Sequence, residues 1–257
     1  MQQPKPTFSI ITVTFNAADT IERTLQSVDS QTCTDYEHVI VDGASTDCTL
    51  DIAARYANSL RRVISEKDKG LYDAMNKGIG STVGSYLIFL NAGDKFHGPD
   101  TLQLIADTIA GNDNPGIVYG QTDIVDDNGQ RIGPRHLSAP DNLTLASFAD
   151  GMLVCHQAFI VLRRIAGYYD LRYRFSADYE WCIRCLQHSR RNIGLTDTVL
   201  IDYLNEGVTT NNKLPSLVER FKIMSYYYGF FKTLTNHLRF VTRRWKRSHN
   251  KATSRKQ

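Results

Sequence analysis

A chain of 257 residues, 42% hydrophobic and 22% charged, is long enough for one sizeable α/β domain and has the composition of an ordinary globular protein. It holds no run of eighteen or more apolar residues, so no membrane-spanning helix is expected, and its opening MQQPKP enters a strand directly, unlike a signal or transit peptide. The formal charge of +3 conceals an asymmetry: eleven Lys and Arg follow from Arg220 onward with no Asp or Glu, which leaves the first 219 residues at about −8.

The first half alternates strand and helix. Residues 8–15 read as a buried parallel strand, and Asp19 with Glu22 resembles a capping box opening a helix to about residue 31. A second strand over 36–41 ends in the polar cluster Asp42 to Asp47, followed by a helix over 49–57. A short strand at 63–65, a helix over 71–79 and a fourth strand over 85–90 come next. That strand ends in Asn91-Ala92-Gly93-Asp94, and Pro99 with Asp100 opens a further helix. Such alternation predicts a doubly wound, mostly parallel sheet with helices on both faces. Ligands in these sheets sit at the carboxyl ends of the strands, where Asn16, the 42–47 cluster and the 91–94 cluster converge.

Beyond residue 115 the alternation weakens. Two short strands at 117–119 and 123–125 flank turn residues, Asn128-Gly129 reads as a hairpin turn, 157–162 as a strand, and 178–188 as a helix carrying Trp181, Ile183 and Leu186. The five cysteines, at 33, 48, 155, 182 and 185, are odd in number and scattered, which suits a reducing cytoplasm. Cys182 and Cys185 lack the second pair a zinc site needs and share a helix face, so buried thiols are expected.

Neither G-x-G-x-x-G nor G-x-x-x-x-G-K-[ST] occurs, so no glycine-rich helix start grips a diphosphate. Carboxylates at strand ends suit a divalent metal that carries phosphates, or hydrogen bonds to ribose and a base edge. A nucleotidyltransferase would want a glycine-rich, basic loop after the first strand, which 14–16 does not offer. A non-catalytic protein that binds nucleotide sugars stays open on this reading.

Seven segments together resemble family 2 glycosyltransferases of the GT-A fold, especially the bacterial enzymes of colanic-acid, capsule and exopolysaccharide assembly. They are 9–16 (SIITVTFN), 39–47 (VIVDGASTD), 65–78 (SEKDKGLYDAMNKG), 89–94 (FLNAGD), 156–157 (HQ), 176–180 (SADYE) and 207–210 (GVTT), in family order across roughly 8–212. The resemblance implies a glycosyltransferase domain over 1–212, with a nucleotide-binding half at about 8–115 and an acceptor and catalytic half at about 116–212. It implies an inverting transfer from a UDP- or GDP-type sugar to a hydroxyl of a lipid-linked saccharide in surface polysaccharide synthesis.

Carried over residue by residue, it places Thr14, Phe15 and Asn16 in the nucleotide pocket, Asp42 on the base or ribose, and Ser45 and Asp47 nearby. Asp68, Asn76 and the Gly207–Thr210 segment would face the donor. Asp94 would be the main ligand of Mg²⁺ or Mn²⁺, with an amide oxygen from Asn91, although the family's acidic triplet is reduced here to one carboxylate. Asp178, at a helix start that favours an anion, would be the general base. His156 and Gln157 would lie on the acceptor side.

Residues 213–257 read as an amphipathic basic helix and tail. Leu217, Phe221, Met224, Tyr228 and Phe231 recur at helical spacing, and 237–247 is aromatic and basic. This pattern predicts attachment to an anionic membrane surface, hence a peripheral protein on the inner face of the cell membrane. The acidic body argues against a nucleic-acid partner.

Overall fold

The computed structural model describes residues 5–205 and 213–237. The described strands form one nine-stranded sheet in the order β3 (Arg61–Ser65), β2 (Tyr36–Asp42), β1 (Phe8–Thr14), β4 (Tyr86–Phe89), β8 (Phe159–Leu162), β6 (Ile117–Val125), β9 (Asn192–Leu204), β5 (Lys95–Phe96), with β7 (Arg131–Pro134) paired to β6. Its first half contains β1 (Phe8–Thr14), β2 (Tyr36–Asp42), β3 (Arg61–Ser65) and β4 (Tyr86–Phe89), all parallel. Helices α1 (Ile21–Asp29), α2 (Thr49–Arg55) and α3 (Leu71–Ser81) connect them, as the alternating pattern requires. All seven residues of β1 are buried, which is why the strand reads as a continuous apolar run.

The second half adds β5 (Lys95–Phe96), α4 (Thr101–Gly111), β6 (Ile117–Val125), β7 (Arg131–Pro134), β8 (Phe159–Leu162), α5 (Ala177–His188), β9 (Asn192–Leu204) and α6 (Lys213–Tyr228). A last helical stretch covers 230–237. Here the sheet is mixed: β8 runs antiparallel to β4 and β6, while β9 runs parallel to β6. No described helix is long and apolar enough to cross a membrane.

Three local expectations change. Residues 117–125 are one strand rather than two around a turn, because Gly120 leaves room for Leu200 of β9, whose side chain a Cβ would meet at 2.6 Å. Asp19 and Glu22 form no capping box; Thr20 precedes α1 without a side-chain cap, and Glu22 accepts a hydrogen bond from the Tyr56 hydroxyl. Residues His156–Ala158 make a 3-10 turn before β8, and this turn lets Gln157 reach across to Asp94. The Asn128-Gly129 turn does link β6 to β7, with Gly129 at φ +75°. Cys182 and Cys185 are buried free thiols.

Helix α6 belongs to the body. Ile223 and Met224 join the main core, Glu219 accepts from the backbone N–H groups of Arg174 and Phe175, and the Tyr227 hydroxyl donates to Glu180.

Candidate active site

A cavity of about 1120 Å³ opens at the carboxyl ends of β1 and β4. Thr14, Phe15, Asn91, Asp94, His156, Gln157 and Asp178 all line it. The fold thus brings together residues from four of the seven segments singled out above, and the 65–78 segment contributes Tyr72 and Asp73 as a fifth. Phe15 is 62% exposed, an aromatic face left bare at a strand end.

Seven buried side-chain polar atoms among the described residues have no partner, and four belong to residues lining this one cavity: Thr14 Oγ1, Asn91 Oδ1, His156 Nε2 and Arg220 Nε. A buried polar group without a hydrogen bond costs about 1–3 kcal/mol, so such a cluster marks a place built for a polar ligand.

Asp178 sits in the first turn of α5, after Ser176. Its Oδ1 accepts a 2.9 Å hydrogen bond from the Tyr72 hydroxyl. Burial and the neighbouring Asp178 raise the Tyr72 phenol well above its ordinary range, so Tyr72 remains a donor. His156 Nδ1 lies 3.7 Å from Asp178 Oδ2, and burial lowers the ring's affinity for a proton, keeping it neutral. Tyr72 in turn stacks on Tyr169, and Tyr169 on Trp181, with ring centroids 5.5 and 5.0 Å apart.

Asp94 is fully enclosed. Its Oδ2 accepts from the Gln157 amide at 2.7 Å and its Oδ1 from the Leu204 backbone at 3.0 Å. Burial pushes its carboxyl up to about 7 despite these bonds.

Several expected ligand contacts turn out to be internal braces. Asp42 is wholly buried and accepts from Ser45 N, Ser45 Oγ and Ser65 Oγ, so it has no face toward a base. Asn16, Ser45 and Asp47 lie outside the cavity lining and lace the 16–18 and 45–49 loops together. Asn16 N donates to Ser45 Oγ, Thr46 N to Asn16 Oδ1, and Ala18 N to Asp47 Oδ2. Asn76 clamps the Tyr169 backbone through both its amide atoms, at 2.9 and 2.7 Å, rather than facing a donor. Asp68 is not among the lining residues: Oδ1 accepts from Gly70 N, while Oδ2 lies against Gly43 near Phe15. The Gly207–Thr210 segment lies outside the described residues.

Tyr72 and the cations Lys69, Arg135, Arg174 and Arg220, to which no motif assigns a role, also line the cavity. Tyr72 lay within the 65–78 segment; the distant arginines carry no linear signal. Among the described residues one His/Asp/Asp group converges on an ion-sized volume, His97, Asp123 and Asp202, and none of the three lines the cavity. Lys95 pairs with Asp202 and Arg131 with Asp123, so an ion there would have to displace two cations.

Residues 9–167 match the family model Glycosyl transferase family 2. A PGL/p-HBAD biosynthesis glycosyltransferase of Mycobacterium bovis is 37% identical over 212 residues, which is 80% of this chain and 80% of that protein. An uncharacterized glycosyltransferase of Mycobacterium tuberculosis is 32% identical over 185 residues, 70% of this chain and 68% of its own length. S. aureus TarS in complex with UDP-GlcNAc superposes with a TM-score of 0.72 at 21% identity, over 86% of this chain and 65% of that one. The mannosyltransferase PcManGT from Pyrobaculum calidifontis, in complex with GDP-Man and Mn²⁺, gives 0.62 at 17% identity, over 91% and 74%. The chain belongs to glycosyl transferase family 2 and has the GT-A fold. It is an enzyme of glycosyl transfer.

Proposed function

We propose that this enzyme moves a sugar from a UDP- or GDP-linked donor to a hydroxyl of a lipid-linked saccharide, with inversion, at the cytoplasmic face of a membrane. The observation that carries the donor reading is the group of four unpartnered polar atoms lining one cavity beside the exposed Phe15 ring. The nucleotide sugars held by TarS and PcManGT support it. The Phe15 ring stacks on the base, and Asp68, not Asp42, is the carboxylate within reach of it. Arg135 and Arg220 meet the diphosphate charge.

Asp178 takes the proton from the acceptor hydroxyl as its oxygen bonds to the anomeric carbon, while the bond from that carbon to the phosphate oxygen breaks on the opposite side. The nucleoside diphosphate leaves with the electron pair, and the configuration inverts. Tyr72 holds the carboxylate for this step. The neutral ring of His156 directs its unpartnered Nε2 to an acceptor hydroxyl.

The residues fit a divalent ion. Asn91 Oδ1 is a buried acceptor without a donor, and Asp94 is a buried acid that a cation would return to its charged form. Mg²⁺ and Mn²⁺ commonly take one or two protein ligands and complete their shell with phosphate oxygens and water. When bound, such an ion neutralises charge on the departing diphosphate.

A thermal-shift series with UDP, GDP and their sugars, with and without Mn²⁺, tests the donor class, since a bound ligand raises the melting temperature by mass action. The Asp178→Asn variant should keep that shift while donor turnover falls by about 10²–10⁴-fold. Equal turnover in Asp178→Asn and the natural chain would remove the base from the scheme.

A further inference from the structure

Helix α6 is apolar on two opposite sides. One side carries Ile223 into the core, and Met224, on the same face as Leu217 two turns earlier, is buried there as well. The other carries Leu214, Leu217 and Val218, at least half exposed, with Phe221 one turn on. The 230–237 stretch extends this outer stripe: the Phe230 ring meets Phe221 edge-on at 5.8 Å, and Phe231 and Leu234 are exposed, Phe231 at 82%. A surface helix normally presents polar residues on its outer face. A contiguous apolar stripe implies an occupant.

We infer that this outer stripe, Leu214, Leu217, Val218, Phe230, Phe231 and Leu234, rests on an anionic lipid bilayer. The inference deepens the reading of a lipid-linked acceptor, on which it partly rests. Charge selects the occupant. Lys222 and Lys232 lie on the same two helical stretches, and the twenty residues that follow 237 add eight Lys or Arg and no acid. Apolar burial and attraction to anionic headgroups then act together, which neither achieves firmly alone. A second copy docked by the same face would set this positive charge against its own like, whereas anionic headgroups complement it. Position agrees as well. Arg220 and the segment Arg174-Phe175, which Glu219 ties to α6, line the active-site cavity, so a bilayer against the outer stripe lies next to its mouth.

Of the sequence pattern 217, 221, 224, 228, 231, Met224 lies in the core and the Tyr228 hydroxyl donates to the Leu145 carbonyl, so neither belongs to the exposed stripe.

Flotation of the full chain with vesicles tests the surface. Binding should be strong to phosphatidylcholine vesicles containing phosphatidylglycerol and weak to phosphatidylcholine alone. A Leu217→Glu/Val218→Glu/Phe231→Glu variant should lose roughly tenfold or more of the bound fraction with an unchanged melting temperature. Should that variant melt early, Leu217→Ser with Phe231→Ser repeats the comparison with a gentler change. The inference is overturned if the natural chain ignores anionic vesicles, or if folded variants bind as well as it does. It is also overturned if the natural chain is a dimer that the triple substitution dissolves, since a second copy then covers the stripe. Donor turnover measured without vesicles on the same samples is independent of all this, so a failure of the catalytic reading is seen separately.

Discussion

At the scale of single residues, the proposed base Asp178 is one member of a chain of contacts. Asn76 clamps Tyr169, Tyr169 stacks on Tyr72, and Tyr72 donates to Asp178. Tyr72→Phe keeps the ring on Tyr169 and removes only the donated hydrogen bond. A hydrogen bond to a charged group is worth about 1.5–3 kcal/mol, so kcat should fall by about ten- to a hundredfold. Steady-state kinetics should show donor KM little changed, and the melting temperature should move slightly. Loss of donor affinity instead would place Tyr72 on the substrate rather than on the base. That Asp94, His156, Gln157 and Asp178 gather at one place was legible in the sequence, because each lies in a short segment with a characteristic neighbour pattern. Asp42 and Asn76 lie in segments just as characteristic, yet their side chains have internal partners. A motif gives a residue's position but not its partners, and both side chains turn inward to satisfy loops that only the tertiary structure brings close.

At the scale of elements, the parallel half of the sheet is tied across three strands by one histidine. The permanently charged Arg61 of β3 donates from Nε to His38 Nδ1 at 2.9 Å, which leaves the ring proton on Nε2 to meet Thr12 Oγ1 of β1, also at 2.9 Å. Burial and Arg61 hold the His38 pKa well below the ordinary 6.5. The unfolded chain takes up a proton below about pH 6.5 that the folded chain refuses, so His38 costs stability as pH falls and nothing above that value. Melting temperatures from pH 8 to pH 5 should therefore decline more steeply in the natural chain than in His38→Gln; parallel curves would refute the assignment. The strands and helices of this half were legible because apolar runs and turn residues alternate cleanly. β9 was not. Its thirteen residues slip register against Gly120 and Gln121, and most of them are only partly buried, so no clear period survives in the sequence.

At the scale of the whole molecule, the catalytic body does not end where the sequence pattern breaks near residue 212. Arg220 lines the cavity, and Ile223 and Met224 belong to its supporting core. A chain stopped at 212 should lose donor turnover and cooperative melting together, whereas one stopped at 237 should keep both and bind anionic vesicles less well. Calorimetry and a turnover assay on the two truncations check this. A fully active 1–212 fragment would restore the simpler boundary. The sequence displays a parallel charge asymmetry: eight Lys or Arg and no acid follow residue 237, while the residues before it carry a net negative charge.

The four unpaired atoms around the cavity have a consequence outside catalysis. If, as proposed, a nucleotide sugar pairs these atoms, donor binding and folding would draw on a common reserve of free energy. In a cell, where unfolded molecules are continually removed, the standing amount of such an enzyme would rise and fall with the supply of its own donor. The chemistry of an unfinished hydrogen-bond network thus becomes a means of matching enzyme to precursor.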